Sequence, residues 1–222
     1  MPSDSKARSA SAPQPFDHLT PPDLLRAASE QGLALTCERA EFDRSGLDFL
    51  VLHAHDTAGS PWIVRTPRRA SVLEAARVEA RVLALVAGYL PVAVPEWRVF
   101  SDEVIAYPRL AGVPAVTMDP GAGPSWNIID PTAPCGAFID SFAAALHALS
   151  SIPAEAVASA GIPRQSIAEA RAELLELLQS TREALQPSPA VWARWQAWVR
   201  NDALWPDSVA LVHGDLHPGH LL

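Results

Sequence analysis

The sequence predicts an α+β chain built in two parts, an antiparallel five-strand sheet with one long helix followed by a mainly helical part. Two observations predict it. Runs of β-branched and aromatic residues broken by turn signals are confined to the first 110 or so residues, the pattern of a strand meander. Beyond residue 134 the punctuation is that of helices, and a Pro/Gly-rich stretch from Pro114 to Pro134 separates the two regimes. The boundaries expected are a disordered tail over 1–15, a sheet-bearing part over 16–112 and a helical part over 113–222.

Taken in order, Thr20-Pro-Pro-Asp23 opens a short helix with an N-cap, prolines in the first turn and an early acid, and Gly32 closes it. Residues 33–40, 47–55 and 61–66 read as three antiparallel strands, interrupted at DRSG and DTAGSP. Ser71-Val-Leu-Glu74 reads as a capping box starting a helix that stops at Gly88. Residues 97–100 and 104–110 read as two further strands around a polar turn. Helices follow at 135–151, 167–185, where Ser166 and Glu169 form a second capping box, and 189–204. Val209–Val212 is apolar on both faces, as in a buried strand, and leads into His213-Gly-Asp-Leu-His-Pro-Gly-His220. The sequence then stops at Leu221-Leu222, which reads as a cut chain whose helical part is incomplete.

With 222 residues, 49% of them hydrophobic and 19% charged, the chain is long and apolar enough to fold around a substantial core. A formal charge of −8 removes any global electrostatic reason to bind nucleic acid and suits a cationic or metal-chelated ligand. Cys37 and Cys135 are too few and too far apart for a disulfide scaffold or a paired-cysteine metal site. The N-terminus lacks a signal-peptide core, and no window approaches the ~18 apolar residues of a membrane span. These features predict a soluble, cytoplasmic protein.

Glu79 lies in the middle of an apolar helical stripe formed by Val72, Ala75, Ala76, Val82, Leu83 and Val86. A carboxylate there must be paired or reach the rim, and Arg65 on the strand WIVRT is the cation placed to meet it. In the loop, His213, Asp215 and His217 alternate and would share one face if extended, with His220 just beyond. Two chemistries fit these residues. Asp215 can act on an acceptor hydroxyl while His220 holds a metal, or His213, Asp215 and His217 can ligate a hydrolytic metal together with His53 and His55, which also alternate. His147 and the Trp192, Trp195, Trp198 stripe read as structural.

The segment HGDLHPGHLL resembles the catalytic loop of the aminoglycoside phosphotransferase and macrolide 2'-phosphotransferase families, whose members usually carry HGDLHPGN. WIVRTPRR, VEARVLALV, AYPRLAGVPA and FAAALHALSSIP agree in order, over about residues 20–222. The RTPRR run, AYPRLAG and the loop-end histidine make the chain similar to the macrolide kinases in particular. The resemblance implies a protein-kinase-like two-lobe fold and transfer of the γ-phosphoryl of GTP or ATP to the 2'-hydroxyl of a macrolide antibiotic, conferring resistance. Mg²⁺ is the implied cofactor, the nucleoside triphosphate and the macrolide the implied partners, and a cytoplasmic monomer the implied state.

Carried over position by position, Asp215 matches the catalytic aspartate, and His220 stands where the family has its metal-binding Asn. Arg65 stands in the place of the phosphate-holding Lys, and Glu79 in that of its helix partner. Asp43–Asp48, with Gly46, matches the loop over the phosphates. Tyr107-Pro108-Arg109-Leu110 matches the interlobe segment that reads the nucleobase, through the Pro108 carbonyl and the Leu110 amide. The family also needs a second metal-binding aspartate after the catalytic loop, so these 222 residues by themselves are expected to be inactive. A kinase of another small-molecule alcohol such as an aminoglycoside, the metal-dependent hydrolase above, and a binding module without transfer are the alternatives.

Overall fold

In the computed structural model, which describes residues 18–119 and 121–222, the expected meander forms a five-stranded antiparallel sheet. Its strands are β1 (Leu35–Asp43), β2 (Phe49–Asp56), β3 (Pro61–Pro67), β4 (Val99–Phe100) and β5 (Ile105–Pro108), in the order β1-β2-β3-β5-β4. The tail expected over residues 1–15 lies outside the described residues. Two compact units are distinguished among the described residues: those up to Leu83 with Val94–Gly112, and Ala84–Ala93 with the described residues of Val113–Leu222.

The period-2 alternation of the strands decides what each face of the first unit does. Leu52 and Ala54 on β2, Val64 on β3, Val99 on β4 and Ala106 on β5 point to one side. There they pack with Leu24 and Leu25 of α1 (Pro21–Glu30) into the buried core. The first helix begins as its sequence requires, since both the backbone N–H and the hydroxyl of Thr20 donate to the Asp23 carboxylate, at 2.9 and 2.6 Å. The opposite face carries Phe49, Ile63, Arg65 and Tyr107, in a register that sets Arg65 opposite both Val51 and Ile105.

The second helix, α2 (Ala70–Val86), starts one residue earlier than expected. The Arg69 carbonyl accepts from the N–H groups of Val72 and Leu73, which leaves Ser71 inside the first turn, and Glu74 pairs with Arg77 at 3.0 Å. Ser71-Val-Leu-Glu74 is therefore not the cap of this helix. Strand β1 runs to Asp43, three residues past the expected end, and carries an irregularity between Thr36 and Glu41 where Arg39 takes φ 58°. The strands expected at 97–100 and 104–110 shorten to two and four residues, so Leu110 lies beyond the end of β5.

The second unit departs further from expectation. The stretch read as irregular holds a hairpin of β6 (Val116–Asp119) and β7 (Gly123–Trp126). Helices α3 (Gly136–Ser150), α5 (Ile167–Leu185) and α6 (Pro189–Arg200) follow, with an unexpected short α4 (Ala154–Ser159). The last expected turns of α6 are instead a 3-10 turn at Asp202–Leu204. Val209–Val212 is not a buried strand: no ladder pairs it among the described residues, and Val209 and Val212 are 47% and 71% exposed. Apolar character alone could not form a strand, because a strand needs a neighbour to take its backbone hydrogen bonds. No described helix is long and apolar enough to cross a membrane.

Candidate functional site

On the sheet face opposite the core, the Arg65 guanidinium donates to Glu79 Oε1 of α2 at 2.7 Å. The side chain of Arg65 is only 13% exposed, against 40% for Glu79, so the pair is open from the carboxylate side. Three rings surround the cation. Its central carbon lies 4.3 Å from the Phe49 ring centroid, 4.7 Å from Trp97 and 5.6 Å from Tyr107. The sheet explains two of these neighbours: Phe49 and Tyr107 share the face of Arg65 and sit diagonally to it across the flanking strands. Ring faces hold the cation by their quadrupoles and limit its rotamers. Burial pushes the Tyr107 hydroxyl pKa up, an effect that the Arg65 charge partly opposes.

The expected phosphate-covering loop joins β1 to β2. Asp43 Oδ1 accepts from the Ser45 N–H at 2.8 Å and from its hydroxyl at 2.6 Å, which closes a tight turn and holds the Asp43 carboxyl below the ordinary range. A Cβ at Gly46 would come within 2.9 Å of the Phe49 carbonyl oxygen, so the turn is built around the missing side chain. Arg69 clamps Asp48 at 2.6 Å at the far end of the loop. Pro108 ends β5 opposite Trp62, the Arg109 N–H donates to the Pro61 carbonyl at 2.9 Å, and Leu110 follows partly buried.

In the second unit the His213–His220 segment does not extend. Gly214 takes φ 84°, and the Asp215 N–H turns back toward His213 Nδ1 at 3.4 Å. His217 caps a 3-10 turn over Pro218–His220, its Nδ1 accepting from the Gly219 N–H at 3.1 Å. His220 Nδ1 lies 2.8 Å from the Asp215 carbonyl oxygen; a carbonyl only accepts, so Nδ1 carries the proton and Nε2 keeps its lone pair. Behind this turn the Leu221 carbonyl accepts from the Ala115 N–H at 2.8 Å, which ties the loop to the start of the β6–β7 hairpin.

The alternation expected to align His213, Asp215 and His217 is thus replaced by another grouping. One donor atom each of Asp215, His217 and His220 lies within 4.8 Å of the others, all three side chains being exposed. His213, His53 and His55, which the hydrolase alternative needs, are not in this group. Mg²⁺ takes oxygen ligands in a strict octahedron. One carboxylate and two imidazoles do not fit it.

Sequence reasoning missed Phe49, whose contact with Arg65 depends on sheet register, and Trp97, which reaches Arg65 from outside the strands. It also read His147 as structural. His147 is exposed, and with Leu146 and Ser150 it lines one side of an open groove of about 410 Å³ whose other side is Val212, His213 and Leu216.

Comparison with known proteins bears on both units. The chain is 36% identical over 201 residues to the uncharacterized protein YcbJ of Bacillus subtilis, covering 90% of this chain and 65% of that one. Macrolide 2'-phosphotransferase MphH from Brachybacterium faecium superposes with a TM-score of 0.78 at 37% identity, over 89% of this chain and 66% of that chain. A GDP complex of aminoglycoside 2'-phosphotransferase-IIIa superposes with a TM-score of 0.66 at 19% identity, over 88% and 64%, a likeness of fold alone. The chain therefore spans about two thirds of the length of the proteins it matches. The model of the phosphotransferase enzyme family matches residues 39–222, from β1 through the His213–His220 loop, and this chain belongs to that family.

Proposed function

We propose that the protein carrying these residues moves the γ-phosphoryl of GTP or ATP onto the 2'-hydroxyl of a macrolide antibiotic. The observation that carries the reading is the Arg65–Glu79 pair, an aromatic-caged guanidinium whose carboxylate partner is open to solvent. In this reading Arg65 binds triphosphate oxygens with its permanent charge and planar fork, and Glu79 orients it. The Gly46 turn covers the phosphates. Tyr107, the Pro108 carbonyl and the Leu110 amide meet the nucleobase.

Asp215 takes the proton of the acceptor hydroxyl as that oxygen bonds to the γ-phosphorus. The bond from phosphorus to the β–γ bridging oxygen breaks, and the nucleoside diphosphate leaves. Most of the rate then comes from positioning. Support for a macrolide acceptor comes from the likeness to MphH at 37% identity and from the net charge of −8, which favours a cationic amino sugar.

The test is transfer of label from γ-labelled GTP and ATP to panels of macrolides and aminoglycosides, with mass spectrometry of the product. A macrolide carrying one phosphate on its amino sugar is the expected result. Label found only in aminoglycosides would move the acceptor to the neighbouring class. The assay uses the protein that carries these residues, and its failure to bind nucleotide or to label any acceptor would overturn the reading.

A further inference from the structure

We propose that Asp215, His217 and His220 form a site for a late first-row transition ion, Zn²⁺ or Co²⁺, and that its occupation blocks Asp215 as a proton acceptor. The metal site rests on geometry alone; the blocking consequence rests on the function proposed above. Three observations point to the ion. The donor set, one carboxylate and two imidazoles, is that of a borderline metal and not of Mg²⁺. His220 is already in a ligating tautomer, because its Nδ1–H donates to the Asp215 carbonyl at 2.8 Å and leaves Nε2 free to bind. Lastly, the backbone makes room for the third donor. A Cβ on Gly219 would lie 2.8 Å from Cε1 and 3.0 Å from Nδ1 of His217, so any side chain there would push that ring from the position it holds.

The two imidazole rings stand with centroids 3.7 Å apart. Zinc bonds of about 2.0–2.1 Å place neighbouring ligand atoms roughly 3.3 Å from one another. Donors within 4.8 Å on exposed side chains reach that spacing by rotation about χ1 and χ2. His217 gives up its acceptance of the Gly219 N–H, a single bond at 3.1 Å, when the metal takes the same lone pair. Three protein donors leave the fourth tetrahedral position to water, and the Asp215 carboxylate, once bound, no longer takes a proton from an acceptor.

The experiment titrates Zn²⁺ into the 222-residue chain by calorimetry and Co²⁺ by its visible absorption, with Mg²⁺ in excess. One ion per chain is expected, with a tetrahedral cobalt spectrum. His220→Ala and His217→Ala should each weaken binding roughly a hundredfold. Gly219→Ala should weaken it while removing no donor, and His213→Ala should leave it unchanged. Circular dichroism of each variant separates loss of a ligand from loss of fold. Affinity unchanged in both His217→Ala and His220→Ala, or full displacement by Mg²⁺, would overturn the site. Zn²⁺ inhibition of phosphate transfer, relieved by a chelator, is then measured on the transferring protein. If ligand-dependent binding is seen in the 222-residue chain and the protein that carries these residues transfers no phosphate even without added Zn²⁺, the metal site stands and the proposed function falls. If transfer occurs and Zn²⁺ neither binds nor inhibits, the metal inference falls alone.

Discussion

In the proposed reaction Arg65 and Asp215 have separate tasks, and their substitutions should separate in kinetics. Asp215→Asn removes a proton acceptor without touching nucleotide contacts, so turnover should fall about a thousandfold with nucleotide affinity nearly unchanged. Steady-state rates beside nucleotide titration check this, and near-native turnover would take Asp215 out of the mechanism. Arg65→Ala should weaken triphosphate binding while leaving that of the bare nucleoside little changed, because its proposed targets are phosphate oxygens. Equal losses for adenosine and ATP would show that Arg65 only supports the sheet. Glu79→Gln probes the same pair from the other side. Arg65 keeps its cage of rings at 4.3–5.6 Å, so stability should drop by only about 1 kcal/mol while triphosphate binding weakens.

Individual elements show which local signals are self-sufficient. The α5 cap formed as written: the Ser166 hydroxyl accepts from the Glu169 N–H at 3.2 Å, and the Ser166 N–H donates to the Glu169 carboxylate at 2.7 Å. Ser166→Ala should destabilise the second unit by about 1 kcal/mol in urea unfolding. The bonds from Ser166 hold the Glu169 carboxyl below its ordinary 4.5. A carboxyl lowered by folding contributes stability that is complete above its unfolded pKa and lost as pH falls through the folded one. Unfolding midpoints should therefore decline below about pH 4.5, and less steeply in Glu169→Gln. The Ser71 box failed where the Ser166 box held, since the Arg69 carbonyl, two residues sooner, captured the first turn. In the β1–β2 turn, Gly46→Ala forces a Cβ to 2.9 Å from a backbone oxygen, and a loss of about 1–2 kcal/mol with weaker nucleotide binding is expected.

Across the whole molecule, the two units differ in how much they bury. In the first, α1 and four strands enclose Leu24, Leu52, Val64, Val104 and Ala106 at 4% exposure or less. In the second, α3 and α5 have no buried residue, and Trp198, Leu204, Val209 and Val212 are all more than 45% exposed. Local stability follows buried apolar contact. Hydrogen exchange should thus protect β2, β3 and β5 by far more than α3 or α5, and a hydrophobic dye should bind this chain in the native state. Uniform protection across both units would refute the comparison. At the same scale, the proposed reaction would have to rely, in the His213–His220 loop, on one carboxylate and two imidazoles. The 222-residue chain by itself should bind nucleotide and turn over orders of magnitude more slowly than MphH in the same assay.

What the sequence determined by itself was whatever depends on neighbours in the chain. Runs of β-branched and aromatic residues between turn signals drew the strands, Thr20 with Asp23 and Ser166 with Glu169 drew two helix starts, and the density of ionisable groups singled out His213–His220. Glu79 on an apolar stripe called for a cation, and Arg65 supplied it at 2.7 Å. Only tertiary structure decided the rest. Trp97 reaches Arg65 from a segment 32 residues further along the chain, and no local pattern records such a contact. Val209–Val212 had the composition of a strand but lacked a partner for its backbone. In the loop, Gly214 and the 3-10 turn set His220 instead of His213 beside Asp215 and His217. Residue type names the chemistry available, while backbone hydrogen bonds satisfied elsewhere in the fold select which groups meet.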